Sequence, residues 1–402
     1  MKILFVNTLY YPFRVGGAER SVQQLAEALV REGHQVVVAT TSPEREDSVA
    51  DVNGVRVYYL RLRNLYWPPP STQAQRLLRP LWHLWDTANL AMTKQVRALV
   101  KREQPDLVNT NNLVGFSPLV WKALYEMQIP ILQTLRGYDL LCPRTTMFRK
   151  GRNCQVQCWD CRAFSWLPKR LSRYVTGVIG VSRSTLQIHL NCRYFPRAAV
   201  REVVFNPVEA TVTPDSKPPA HYGMFHFGYL GRLDPAKGVE KMLAAARKLP
   251  DGEWSLLVAG SGREQYTTRL RQYFISPRIQ YLGHMEPNDF FRRIDALIVP
   301  SLWNEPMGRV ILEAYSYGVP VVAARRGGIA EIVEEGRTGF LYDPEETGGL
   351  AQAVRKFIEH PERARAMRPA CLAKATEFFP EKIVKQFLEI CERVIGDVRS
   401  VG

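Results

Sequence analysis

The chain opens on a short apolar run, Ile3 to Val6, followed by a loop with paired glycines and then a helical pattern. Val22, Leu25, Ala26, Leu29 and Val30 recur at the spacing of one helical face, and Gly33 ends the run. A second apolar run, HQVVVATT at 34–41, follows at once. Continuous apolar runs separated by helical periodicity predict parallel strands buried on both faces and joined by helical crossovers. The alternation continues, with strand patterns at 55–62, 105–112, 129–135, 174–182 and 199–207 and helical patterns at 87–103, 116–127 and 184–192. The segment 208–223 is rich in proline and has no periodicity, which marks an interdomain linker placed at 206–220. Beyond it the logic repeats. Strand patterns fall at 224–233, 253–262, 278–285, 296–302, 319–325 and 339–344, with helical patterns at 239–249 and 310–318 between them and an amphipathic helix at 378–396. The pattern predicts two doubly wound, Rossmann-like α/β domains, 1–205 and 221–379, facing a cleft.

A length of 402 residues suits two such domains, and 46% hydrophobic with 23% charged residues is an ordinary globular composition. The charge changes the picture. The formal net charge is +15, and it is lopsided: Lys and Arg outnumber Asp and Glu by 28 to 14 over 1–205, but only by 26 to 25 over 206–402. The first half therefore expects an acidic partner. No recognition-helix, RNP or zinc-finger pattern is present, which argues against nucleic acid. No segment approaches the ~20 apolar residues of a membrane span. The first apolar run is too short for a signal-peptide core. The expectation is a cytoplasmic protein, peripheral on the cytoplasmic face of the membrane. A stretch at 58–86 interleaves Tyr58, Tyr59, Tyr66, Trp67, Trp82 and Trp85 with Arg61, Arg63, Arg76 and Arg79. That mixture reads either as a membrane-facing surface or as a core helix behind a proline-rich loop.

Seven cysteines, an odd number, do not make a disulfide framework. Four of them, Cys142, Cys154, Cys158 and Cys161, follow a C-x11-C-x3-C-x2-C spacing. Four thiolates so close together could hold a structural zinc and staple a loop that lacks its own core. An iron–sulfur cluster and unligated or partly oxidised cysteines are the alternatives.

The densest chemistry lies at Glu305-Pro-Met-Gly-Arg-Val-Ile-Leu-Glu313. Gly308, Arg309 and Val310 open a helix whose N–H groups and dipole suit a phosphate. Glu313, one turn on, can reach a diol such as ribose. Around this block stand GRLDPAKG (231–238), GSG (260–262), LG (282–283), PS (300–301), YGVPVVA (317–323), GG (327–328) and GRTGFLYDP (336–344). In order and spacing these motifs resemble the GT-B retaining glycosyltransferases, in particular glycosyltransferase family 4. The resemblance runs through nearly the whole chain and is densest from about 226 to 348.

The resemblance implies a hexosyl- or glycosyltransferase that moves a sugar from a nucleotide diphosphate sugar, a UDP- or GDP-sugar, with retention and without a catalytic metal. Arg232 and Lys237 then grip the diphosphate and stabilise the leaving nucleotide. Glu305 holds hydroxyls of the transferred sugar, and Glu313 holds the ribose. Gly231 and Gly308 to Val310 cradle the donor, and the base lies near Arg278 to Gly283. The glycine loop at Gly16 and Gly17 approaches the phosphates from the first domain, and the helix at 380–398 packs back onto that domain. Many relatives carry a His where this chain has Arg136, so that role does not transfer. Arg136 and Tyr138 are instead candidates for an acceptor or phosphate contact. The implied acceptor is anionic or lipid-linked, of the kind that precedes cell-envelope polysaccharide. Other readings on the same architecture are an epimerase, a phosphorylase or a catalytically silent partner subunit.

Overall fold

The computed structural model describes residues 1–13, 16–67, 75, 77–209 and 223–401. Arg76 and residues 210–220 of the expected linker lie outside the described residues. By its internal contacts the chain forms two units. The first is Met1–Met147 with Cys154–Pro207 and Pro380–Gly402; the second is Phe148–Asn153 with Val208–Phe379.

The first unit is built on eight strands: β1 (Lys2–Val6), β2 (Gln35–Ser42), β3 (Ser48–Val52), β4 (Val55–Arg61), β5 (Leu107–Thr110), β6 (Ile131–Leu135), β9 (Gly177–Gly180) and β10 (Val200–Val203). A two-stranded hairpin, β7 (Phe148–Arg149) with β8 (Arg152–Asn153), interrupts the series and belongs to the second unit. The sheet order is β10-β9-β6-β5-β1-β2-β4-β3. Every pair is parallel except β3 with β4, which turn back on each other across Asn53–Gly54. Both turn residues have positive φ, 55° and 81°, as a tight two-residue hairpin requires.

Helix Gly17–Arg31 buries Val22, Leu25, Ala26 and Leu29 against this sheet, the face its periodicity predicts. Helix Pro380–Val401 packs beside it. It buries Ile383, Val384, Phe387, Ile390, Cys391 and Val394 in the same core, with the Phe387 ring stacked 6.0 Å from that of Phe5. The last helix of the chain is thus part of the first unit.

The second unit carries six parallel strands: β11 (Phe225–Leu230), β12 (Trp254–Ala259), β13 (Ile279–Gly283), β14 (Ala296–Val299), β15 (Val321–Ala324) and β16 (Gly339–Tyr342). Their order is β13-β12-β11-β14-β15-β16. The chain winds outward from β11 to β13, then returns to the middle and winds the other way from β14. The crevice between the C-terminal ends of β11 and β14 is therefore the switch point, where open parallel sheets take their ligands. The equivalent point of the first sheet lies between β1 and β5. No helix among the described residues is long and apolar enough to cross a membrane.

Candidate functional site

The switch point of the second unit brings together two loops that are far apart in sequence. The loop after β11 carries Arg232 and Lys237; the loop after β14 carries Glu305. Asp234 caps the short turn Pro235–Lys237 by accepting from the Ala236 N–H at 2.9 Å. The Ala236 carbonyl then accepts from the N–H groups of Leu302 (2.9 Å) and Trp303 (3.2 Å), which ties the two loops together. Gly238 makes this approach feasible. Its φ is +72°, and a Cβ there would lie 1.9 Å from the Pro300 carbonyl oxygen. Gly327 does the same from the other side, because a Cβ would lie 2.2 Å from the Glu305 carbonyl oxygen. The next residue, Gly328, donates its N–H to that oxygen at 2.8 Å.

These constraints place the carboxylate of Glu305, a residue only 6% exposed, against three donors. Its Oε1 accepts from Lys237 Nζ at 2.6 Å, Ser301 Oγ at 2.6 Å and Trp303 Nε1 at 2.8 Å. The ammonium also lies over the Trp303 ring, 5.5 Å from its centre. Burial alone pushes the Glu305 carboxyl upward, but the Lys237 charge and the bonds from Lys237, Ser301 and Trp303 outweigh it. The net shift is downward, so Glu305 stays ionised. Arg232 has its backbone carbonyl held by the Tyr229 hydroxyl at 2.7 Å, while its side chain is exposed.

Next to this cluster Gly308 starts the helix Arg309–Ser316, and no side chain caps it. Arg309 and Glu313 form an ion pair on one face of that helix, Nε to Oε1 2.9 Å. On the other side of β11 the strand ends are stitched by backbone bonds. Gly231 N–H donates to the Ala259 carbonyl at 3.1 Å, and Gly260 N–H to the Gly283 carbonyl at 2.7 Å. Gly231 thus follows β11 and Gly283 ends β13, the two strands that flank β12, and Val310 lies in the first turn of the helix Arg309–Ser316.

In the first unit the candidate residues lie on the loops that follow β1 and β6. Gly16 precedes the helix Gly17–Arg31, and its N–H donates to Glu19 Oε2 at 2.9 Å. Its φ is −157°, extended backbone that any residue adopts. Arg136 follows β6. Its Nε donates to Asn111 Oδ1 at 2.8 Å and its terminal nitrogen to Asn206 Oδ1, so two side-chain amides orient the guanidinium. Tyr138 is 1% exposed and its ring stacks on His189 at 6.3 Å, inside the unit and not on its surface. Cys158 and Cys161 bring their sulfurs within 3.4 Å, and Cys142 sets its thiol against Cys161. Cys154 anchors the base of the hairpin β7–β8, with its N–H donating to the Met147 carbonyl at 2.8 Å.

Three residues of the site escaped the sequence reading as individuals. In the sequence Ser301 stands out only within a Pro-Ser pair and Trp303 not at all, although each bonds the Glu305 carboxylate. Asn153 belongs to the hairpin that joins the second unit. Its Nδ2 donates to the Leu302 carbonyl at 2.7 Å, and its Oδ1 accepts from the Asn304 N–H at 2.8 Å. It thereby clamps the backbone just before Glu305. No periodicity flags a partner some 150 residues away.

The family model for glycosyl transferases group 1 matches residues 217–371, and that for the glycosyl transferase 4-like domain matches 16–206. An uncharacterised 42.6 kDa protein in the cps region of Klebsiella pneumoniae is 31% identical over 332 residues, covering 83% of this chain and 87% of that protein. A glycogen synthase of Mycobacterium tuberculosis is 27% identical over 396 residues, covering 94% and 91%. The crystal structure of Anabaena HepE in complex with UDP-glucose superposes with a TM-score of 0.71 at 23% identity, covering 98% of this chain and 100% of that one. The two matched segments tile the two doubly wound units, and the chain belongs to the glycosyl transferases group 1 family, with the GT-B fold.

Proposed function

We propose that this glycosyltransferase moves a sugar from a nucleotide diphosphate sugar, a UDP- or GDP-sugar, with retention at the anomeric carbon. The observation that carries the reading is the Lys237–Glu305 pair at the switch point, beside an uncapped helix N-terminus. Phosphate oxygens suit the N–H groups at Gly308 to Val310, reinforced by Lys237 and Arg232. Cleavage of the sugar–phosphate bond leaves negative charge on the diphosphate, and these fixed cations lower the barrier without a divalent ion. Glu305, held as a carboxylate, accepts from sugar hydroxyls. Glu313 accepts from the ribose diol on exchanging its bond to Arg309. The capture of UDP-glucose by HepE supports a uridine nucleotide as the first donor to try.

The acceptor we propose is anionic and lipid-linked, a precursor of cell-envelope polysaccharide, met at the cytoplasmic face of the membrane. The support is the basic first half and an apolar surface within it. On helix Arg79–Thr87, Leu81, Leu84 and Trp85 are exposed, and the helix packs on helix Trp159–Leu171, which exposes Trp159 and Trp166. Arg162 and Arg170 are exposed on that second helix. Apolar side chains framed by arginine suit an anionic bilayer.

Nucleotide release from a panel of UDP- and GDP-sugars, with Mg²⁺ and Mn²⁺ withheld, tests the donor reading. Product NMR reads the anomeric configuration. Turnover is expected with one donor and is lost by orders of magnitude in Lys237→Ala and Glu305→Ala. Near wild-type rates in both variants would remove the site assignment. Sedimentation with phosphatidylglycerol vesicles tests the surface: Leu84→Asp/Trp85→Asp should abolish binding. Equal binding by the variant refutes it.

A further inference from the structure

We infer that Cys142, Cys154, Cys158 and Cys161 hold one structural zinc ion, which fixes the loop between the buried Tyr138 turn and the helix Trp159–Leu171. This goes beyond the sugar-transfer reading and does not depend on it. The first argument is the loop itself. Of the eighteen residues between Cys142 and Cys161, Met147 alone is buried. The only regular structure there, before the helix begins at Trp159, is the four residues of β7 and β8. Three non-glycine residues, Thr145, Met147 and Lys150, hold positive φ. A segment with almost no core of its own, held by a few hydrogen bonds from Asn153 and Gln157, gains most from a metal cross-link.

The second argument is that the thiols converge. Cys158 stands at the N-cap of the helix and Cys161 in its first turn, which places both sulfurs on one side, 3.4 Å apart. Zinc–sulfur bonds of about 2.3 Å in a tetrahedron put sulfurs about 3.8 Å apart, so a small adjustment admits the ion. Cys142 arrives from the other end of the loop, with its thiol against that of Cys161. The ligand atoms of Cys158, Asp160 and Cys161 lie within 4.8 Å of one another, and Cys142 joins this cluster through Cys161. The fourth ligand we assign to Cys154, at the hairpin base. An oxygen of Asp160 also lies near the two helix sulfurs, but Asp160 Oδ1 already accepts the Cys161 N–H at 3.0 Å. Soft thiolates are the better zinc ligands. On binding, each thiol gives its proton to solvent and the ion takes four thiolates, so no oxidant or reductant is needed.

The experiment uses the full chain, purified without an affinity tag and analysed by elemental mass spectrometry. One zinc per chain is expected. Cys158→Ser and Cys161→Ser should each lose the ion, and Cys192→Ser, outside the cluster, should keep it. Because the cysteine variants could misfold, the wild-type chain supplies two further readouts. Cobalt(II) in place of zinc should give the visible bands of a tetrahedral thiolate site. A mercurial that releases the ion should speed trypsin cutting at the exposed Arg144, Arg149, Lys150 and Arg152 by about tenfold or more, with little change elsewhere. Zinc below a tenth per chain, iron in its place, or a Cys158–Cys161 disulfide in the native protein overturns the inference. A zinc content unchanged in Cys154→Ser overturns the fourth ligand. Nucleotide-sugar turnover is not a readout here, so failure of this site leaves the catalytic reading standing.

Discussion

Replacing Lys237 by Met removes the one charge that, among the described residues, bonds the Glu305 carboxylate, and keeps most of the bulk of the side chain. At 2.6 Å the pair attracts by about 6 kcal/mol at an effective dielectric of about 20, but most of this offsets the cost of taking both charges out of water. Breaking one partner of a buried pair costs about 3–5 kcal/mol, because the other charge is left without its counter-ion. Ser301 and Trp303 still donate to Glu305, and the Lys237 site is 24% exposed, so the lower end of that range is expected. Adding Glu305→Gln removes the stranded charge, and the amide oxygen still accepts from Ser301 and Trp303. The double variant should therefore be more stable than Lys237→Met alone by about 1–3 kcal/mol, although it carries one more mutation. Native-state hydrogen exchange on the whole chain, read on peptides covering 296–316 in urea, gives the opening free energy of this part directly. If Lys237→Met matches the wild type, or if the double variant is no better than the single, the account of Glu305 as a charge neutralised by Lys237 is wrong.

Three further outcomes are expected. Since the Glu305 carboxyl lies below its ordinary value of 4.5 in the folded chain, its contribution is present above that value and lost as pH falls through the folded one. The advantage of wild type over Glu305→Gln in urea should shrink between about pH 5 and pH 3; a difference flat across that window contradicts the assignment. Asp86 behaves in the opposite sense. Burial lifts its carboxyl to about 7 against the bonds from the Gly115 N–H and Asn64, so ionising it at higher pH costs stability. Asp86→Asn should stabilise the first unit by about 1–3 kcal/mol at pH 8 and by little at pH 4, measured by urea titration at both; an equal effect at both pH values would refute this. Phe387→Ala, which empties space against Phe5, should cost about 3–5 kcal/mol in the first unit by hydrogen exchange. A cost below about 1 kcal/mol would mean that the C-terminal helix is not part of that core.

Much of the fold was legible because a parallel sheet covered on both faces writes itself as apolar runs. β1, β5, β6 and β14 were visible in this way. Strand Ser48–Val52 was missed because it is an exposed edge of mixed polarity, with neither a run nor a clean alternation. Its signal lay in the next two residues: Asn53–Gly54 is the strongest short-range mark of a hairpin. Helices Trp159–Leu171 and Glu362–Ala375 were hidden by Pro168 and Pro369, which read as breakers but are carried within them. For the site, the Arg309–Glu313 spacing of one helical turn could be read locally. The meeting of Lys237 with Glu305 could not, since 68 residues separate them and only likeness to a family suggested it. Trp303 carries no periodic signature, because an aromatic in a loop acquires its partner from the tertiary path alone.

The helix Pro380–Val401 sets the order in which the molecule can be finished. Residues 1–207 leave the ribosome first, yet Phe5, Val22 and Leu29 belong to a core closed by Ile383, Phe387 and Val394. The whole second unit must be synthesised before those side chains emerge. During that interval the first sheet waits with part of one apolar face uncovered, which is a liability for aggregation. A gene fragment ending near residue 205 therefore encodes an open half-core, whereas the same fragment fused through a short linker to 380–401 encodes a closed one.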